Sequence, residues 1–307
     1  MSAETAVTGM RDRVANWAYA TGWQVAGVIP ATWSRRAFET LANQTWARDG
    51  EGVQQLSSNL ARVFDHSLEP HELAEYSRQA MHSYMRYWNE TFALPHWSHD
   101  EIADKVEIVH EERLTAAIAR GNGVVIALSH SGNWDLAGAW LASTHGGFTT
   151  VVERLKPDGL FERFKEHRES LGMEVLAVDG GPRVLATMST RLREGGTVCL
   201  LADRDLNGTG ILVNFFNEAA HFPAGPAALS VSTGAALITL RLSYRAEKLI
   251  IDFDEPLVEL LPDTATRHDR VQVLTQQVAD QFQAAISDHP TDWHMMQPFW
   301  DADRGLS

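Results

Sequence analysis

One cysteine in 307 residues cannot close an internal disulfide, and Cys199 sits in the apolar run Val198 to Leu201, where a buried structural thiol is expected rather than a nucleophile. Positive charge is also scarce. The 26 lysines and arginines against 40 acids leave a net charge of -14, which repels a phosphate backbone and excludes nucleic acid as an expected partner. Long apolar runs are missing too. The uncharged stretch Val14 to Ser34 contains Asn16, Gly22, Gln24, Gly27 and Pro30, so it falls short of the ~20 predominantly apolar residues of a spanning helix. No secretory leader pattern opens the chain, which makes the cytoplasm the default compartment. The G-x-S-x-G, Walker A, paired C-x-x-C and H-E-x-x-H patterns are absent, so neither a serine-elbow hydrolase, a P-loop enzyme nor a metal site is expected.

What is present suits a packed globular core, with 44% hydrophobic and 21% charged residues. The first 62 residues hold six bases and five acids, so the remaining 245 carry a net charge of -15. Within that near-neutral region Trp17, Tyr19, Trp23 and Trp33 suit a helix lying in a membrane interface, or equally a buried N-terminal helix. Helical spacing continues to Trp88 and is clearest from Leu68 onward. Beyond about residue 105, short β-rich runs alternate with helical segments. Val106 to Val109, Val124 to Ser129, Phe148 to Val152, Val175 to Val178 and Val198 to Leu201 are predicted strands, as are Ile211 to Phe216, Leu237 to Leu242 and Leu249 to Phe253. A closing helix follows, with Val271, Leu274, Val278, Phe282 and Ala285 on one face. The expectation is one α/β domain over residues 1–307, with a helical N-terminal section to residue 105 and a mostly parallel sheet covered by helices on both faces.

Val124 to Leu128 is apolar throughout, and His130 stands at its carboxyl end, where ligands of open α/β sheets collect. His130 and Asp135 form an H-x4-D pair. Spacing alone carries no weight, because His99 and Asp104 repeat it in a polar segment whose Ser98 suits a helix cap. Five residues of continuous helix would rotate the carboxylate by about 500°, away from the histidine's face. The pair meets only if Ser131-Gly132-Asn133 makes a turn and Asp135 opens the next helix. Asp135 would then hold one imidazole nitrogen and leave the other as a general base, with the Gly132 and Asn133 backbone N–H groups facing a developing oxyanion. The same residues would equally serve as an ordinary helix cap and first-turn carboxylate. With no nucleophile beside it, such a pair suits deprotonation of a substrate hydroxyl that attacks an activated acyl group. A hydrolase activating water and a silent lipid-binding protein remain alternatives.

The octet Leu128-Ser129-His130-Ser131-Gly132-Asn133-Trp134-Asp135 resembles the H-x4-D signature of bacterial lipid acyltransferases of the lipid A late-acyltransferase type. Further blocks follow in the family's order: Val152 to Pro157, Arg168 to Gly172, Asp203 to Leu206, Phe215-Phe216 with Pro223 to Ala227, and His289 to Met295. They are most similar to its actinobacterial branch. The resemblance implies transfer of a long acyl chain, typically palmitoyl, from acyl-CoA as co-substrate to a mannose hydroxyl of a phosphatidylinositol mannoside. It places this peripheral protein at the cytoplasmic face of the cell membrane, without a bound cofactor. His130 would be the base and Asp135 its partner. Asp203 matches an acidic active-site position that is usually Glu, and Glu153 and Arg168 match polar positions assigned to the sugar or lipid phosphate. Arg204 would close an internal salt bridge or bind CoA phosphate. Arg154, Lys156, Arg163, Lys165 and Arg168 offer local positive charge for the polyanionic donor, with five acids interleaved.

Overall fold

The apolar run after Gly123 becomes the central strand β2 (Val124–Leu128), buried at every position, as a strand covered on both faces must be. A computed structural model describes residues 29–153, 158–205 and 208–305, apart from the side chains of 158–161, 163 and 164. Among the described residues three helices lead: α1 (Ala31–Ala47), α2 (Glu51–Val63) and α3 (Pro70–Ala93). There follow α4 (His99–Lys105), β1 (Val106–Val109), α5 (Glu111–Ala119), β2, α6 (Trp134–His145), β3 (Phe148–Val152), α7 (Asp158–Ser170), β4 (Met173–Ala177), α8 (Pro182–Arg193) and β5 (Thr197–Leu201). The chain continues through β6 (Ile211–Phe215), β7 (Glu218–Phe222), α9 (Gly225–Thr233), β8 (Ala236–Arg245), β9 (Lys248–Phe253), α10 (Arg267–Asp288) and α11 (Asp301–Arg304). Caps mark several starts: Ser98 with Glu101 and Thr266 with Asp269 form capping boxes, so Ser98 does cap its short helix.

Seven strands form one sheet in the order β1-β9-β8-β2-β5-β3-β4. Every neighbouring pair is parallel except β8 with β9, which a two-residue loop joins as a hairpin. The fold is therefore the expected α/β arrangement, with a mostly parallel sheet and a helical lead. Strand β7 and helix α9 were not foreseen. Strand β7 pairs with β6 across the two-residue turn Phe216-Asn217, both at positive φ as a tight hairpin requires, and α9 covers the sheet after it.

Alternate side chains of each strand feed different layers. Ile126 and Leu128 join α4, α5 and α6 on one face, where Leu136 and Trp140 pack. Val125, Ala127 and Leu200 join α8, α9 and α10 on the other, with Phe215, Trp293 and Trp300. Leu56, Leu60 and Met81 form a smaller core between α2 and α3. No helix among the described residues is long and apolar enough to cross a membrane. Residues 14–28 of the uncharged tryptophan-rich stretch lie outside the described residues.

The link from β2 to α6 turns at Gly132, where φ is +56°. An added Cβ there would lie 3.0 Å from Leu249 Cδ1 and 3.1 Å from Leu242 Cβ. Gly132→Ala therefore combines backbone strain with a clash against two buried strands, and should lower unfolding free energy by about 1–3 kcal/mol. Urea denaturation measures this, and an unchanged midpoint would contradict it.

Candidate active site

Leu128 and Leu201 are register partners on neighbouring parallel strands, and the Ala202 N–H donates to the Leu128 carbonyl at 2.9 Å. His130 and Asp203 each stand two residues further on, so the sheet delivers them side by side, about 4.8 Å apart in strand spacing. His130 Nδ1 lies 2.5 Å from Asp203 Oδ1, and the His130 backbone N–H donates to Asp203 Oδ2 at 2.9 Å. The Trp293 indole N–H donates to the same oxygen at 3.1 Å. Asp203 is completely buried. Burial opposes its ionisation, but the facing imidazole and these N–H groups outweigh that and hold the carboxyl below its ordinary value. An ionised carboxylate only accepts, so Nδ1 carries a proton toward Asp203 and Nε2 is the ring nitrogen left for other partners.

Asp135 does not take the place expected of it. Its carboxylate accepts from Arg168 Nε at 2.6 Å and Nη2 at 3.3 Å, and from the Tyr87 hydroxyl at 2.9 Å. Asn133 caps α6 by accepting from the Leu136 N–H at 2.9 Å, so Asp135 falls in the first turn of that helix as expected, but without reaching His130. The helix directs it toward α7 and α3, while strand register fills the position beside His130 with Asp203. Burial opposes ionisation of Asp135, and Arg168 overcomes it, so the carboxyl is held below its ordinary value. Arg168, expected at the substrate, is thus joined to Asp135. The Gly132 N–H, expected to face an oxyanion, donates instead to the Asp292 carbonyl at 2.9 Å.

Sequence reasoning missed His294 as a member of this site. Its N–H donates to the His130 carbonyl at 2.8 Å. Its Nε2 is 3.0 Å from Ser83 Oγ, whose hydroxyl donates to Asp292 Oδ1 at 2.6 Å. With the serine proton so engaged, the imidazole hydrogen belongs on Nε2. Burial, with a smaller push from His130, lowers His294 to about 3 and keeps it neutral.

His130 opens on a cavity of about 700 Å³ that extends to both sides of the sheet's carboxyl edge. Its lining includes Ile126, Leu128, Gly138 and Met173 on the face covered by α6, and Val184, Met188, Leu200 and Pro226 on the other. Glu153 and Arg204 also line it, 3.8 Å apart in an ion pair. Cys199 is buried in its wall, and burial pushes the thiol up, as expected of a structural cysteine. Lys165 pairs with Glu169 at 3.8 Å, while the side chains of Arg154, Lys156 and Arg163 lie outside the described residues. No cluster of three metal-ligating side chains occurs among the described residues.

Residues 5–302 match the family model of the bacterial lipid A biosynthesis acyltransferases, and the chain belongs to that family. It is similar to a phosphatidylinositol mannoside acyltransferase of Mycolicibacterium smegmatis, with 41% identity over 95% of this chain and 93% of the relative. A protein of the same name from Mycobacterium tuberculosis is 44% identical over 94% of this chain and 89% of its own length.

Removing one partner of a buried ion pair leaves the other charge uncompensated, so Asp135→Ala should reduce stability by about 3–5 kcal/mol in equilibrium denaturation. A loss below about 1 kcal/mol would show that Arg168 finds another counter-charge or water. A second prediction follows from His294. Its folded pKa of about 3 lies below the ordinary 6.5, so the unfolded chain binds the extra proton between those values. Stability must then fall as pH drops through this window, by up to about 1.4 kcal/mol per unit. His82 and His167, lowered mainly by burial, add the same sign. Asp135 and Asp203 stabilise above their ordinary 3.8 and lose that contribution only as pH falls below it. Between about pH 4 and 6.5, His294→Gln should flatten the decline of unfolding free energy, and parallel curves would refute the reading.

Proposed function

We propose that this member of the bacterial lipid A biosynthesis acyltransferase family moves a long acyl chain, palmitoyl, from acyl-CoA to a mannose hydroxyl of a phosphatidylinositol mannoside. The observation that carries the reading is the His130–Asp203 couple opening on a large apolar cavity, in a chain whose relatives are named for that acceptor. Its volume lies within the ~300–1,000 Å³ of small-molecule sites, and its mostly apolar lining suits a fatty chain better than a polar substrate.

His130 Nε2 takes the proton of the acceptor hydroxyl as the oxygen attacks the thioester carbon. Asp203 holds the opposite nitrogen, fixes the tautomer and faces the imidazolium as it forms. The proton then passes to the departing thiolate. No nucleophilic side chain and no covalent enzyme intermediate are required. Asp135 acts one step removed, by anchoring Arg168 and Tyr87 in the cavity wall. Glu153 and Arg204 are assigned to the acceptor headgroup and the donor phosphates. With a lipid acceptor and a charged donor, the reaction we propose would take place at the cytoplasmic membrane face, with the protein bound peripherally.

Purified protein with palmitoyl-CoA and a phosphatidylinositol mannoside should yield an acylated glycolipid, identified by mass spectrometry, with CoA release that depends on the acceptor. His130→Ala should lower turnover at least ~100-fold. Asp203→Asn, which disturbs the tautomer while keeping the shape, should lower it by ~10²–10⁴. Near-normal transfer by His130→Ala would end the proposal.

A further inference from the structure

A helix packed on one side ordinarily turns polar side chains to the other, and α1 departs from that along one row. Its inner face meets α3. Ala42 is fully buried, Phe38 lies 6.2 Å from Phe92 between ring centroids, and the Ser34 hydroxyl donates to Asn89 Oδ1 at 2.5 Å. On the outer face Trp33, Ala37 and Leu41 follow one another at steps of four residues, and all three are exposed. Trp33 is 71% exposed and Leu41 41%, and Ile29, one step before Trp33, is 39% exposed. Arg36, Thr40 and Gln44 run beside them in the neighbouring row. Among the exposed large apolar side chains of the described residues, Trp33 is the only aromatic one. Scattered apolar residues on a surface need no explanation, whereas a row on one helix face marks something that covers it.

Three observations favour a lipid bilayer. The chain leading into the row is the uncharged stretch from Val14 to Ser34, which carries Trp17, Tyr19 and Trp23 ahead of Trp33, a composition that suits lipid headgroups. The first 62 residues hold six bases and five acids in a chain of net charge -14, so an anionic bilayer is repelled least here. By contrast Leu260, 91% exposed, lies in a segment that carries Glu255, Glu259 and Asp263. The row also begins beside the catalytic edge of the sheet. Arg35 pairs at 2.7 Å with Glu247 in the turn that follows β8, and β8 runs parallel to β2, so that turn lies beyond the same sheet edge as His130. Helix α3, on which α1 packs, gives Tyr84, Tyr87 and Trp88 to the cavity wall.

We infer that the α1 row of Ile29, Trp33, Ala37 and Leu41 is the surface with which the protein docks on a phospholipid bilayer, with Trp33 at the level of the headgroups. This deepens the membrane placement proposed above and rests on it. A net charge of -14 gives no general electrostatic hold on anionic lipid, so the attachment depends on apolar contact at this row. Docked there, the carboxyl edge of the sheet lies beside the lipid that supplies the acceptor.

The test measures binding without substrates. Unaltered full-length protein is floated with vesicles of equal parts phosphatidylethanolamine and phosphatidylinositol, beside the double variant Trp33→Gln, Leu41→Gln and the control Leu260→Gln. The unaltered protein and the control should float alike. The double variant should lose about 10-fold in partition coefficient, as expected when two partly immersed apolar side chains are removed, with its thermal midpoint unchanged. A second measurement removes neither side chain: a fluorophore on Ala37→Cys, with Cys199 buried away from the reagent, should be quenched by brominated lipid. Flotation of the double variant equal to that of the unaltered protein, or a label that brominated lipid leaves unquenched on floating protein, overturns the inference alone. So does an unaltered dimer with a monomeric double variant in size-exclusion chromatography without vesicles, which assigns the row to a second copy of the chain. An unaltered protein that does not float overturns the membrane placement and the inference together. Acyl transfer is assayed separately, so its failure with flotation and quenching intact removes the catalytic reading and leaves the docking face in place.

Discussion

The parallel register of β2 and β5 is the constraint on which the site depends. Leu128 faces Leu201, so the residues two positions beyond each strand end must emerge together, and these are His130 and Asp203. A carboxylate so deeply buried would give up its charge unless several donors met it. The sheet provides the imidazole and the His130 N–H, and the segment after α10 provides the Trp293 indole. That segment is itself fixed to the turn by a bridge between Ser131 and Trp293 and by the His294 N–H on the His130 carbonyl. The dyad therefore requires contributions from three distant stretches of chain, which only the closed fold unites.

Local pattern revealed the framework better than the chemistry. A strand of continuous apolar character such as Val124–Leu128 announces itself because burial on both faces demands it. Strand β7 hides because its two alanines weaken the β signal, and Phe216 is not a residue one expects at positive φ. The error at Asp135 has a different origin. A partner five residues away in sequence is easy to imagine, whereas a partner 73 residues away follows only from pairing two apolar runs and counting equal offsets beyond them. That count, an imidazole and a carboxylate each two residues past a buried strand, was the available physical signal. Family resemblance pointed to Asp203, but not to what it touches. His294 gave no local signal, since its surroundings come from α3 and from the His130 turn.

The helical lead is part of the site rather than an addition to it. Ser83, Tyr87 and Glu90 fall at spacings of four and three on α3, so they project from one face. Ser83 reaches His294, Tyr87 reaches Asp135, and Glu90 accepts from Asn133 and from the Tyr244 hydroxyl. His294, Asn133 and Asp135 are the residues that bracket His130. Read for its apolar stripe, this helix looks like core alone, because Tyr84 and Trp88 dominate the periodicity. Its polar members do the positioning. Any displacement of α3 must therefore be felt at the catalytic turn through three side chains at once.

Charge around His130 is arranged to favour a passing proton. When the imidazole takes a proton from a hydroxyl, the new positive charge meets Asp203 directly. A second cation close by would oppose that step through a poorly screened medium. The Arg168 guanidinium is such a cation, and Asp135 neutralises it in a two-oxygen pair. His294 is another candidate, and burial keeps it neutral. Had Asp135 held the imidazole as its sequence position suggested, Arg168 would have kept an uncompensated charge in the same cavity wall. Two carboxylates thus divide two tasks, and the division explains why the residue nearer in sequence is the wrong partner for the base.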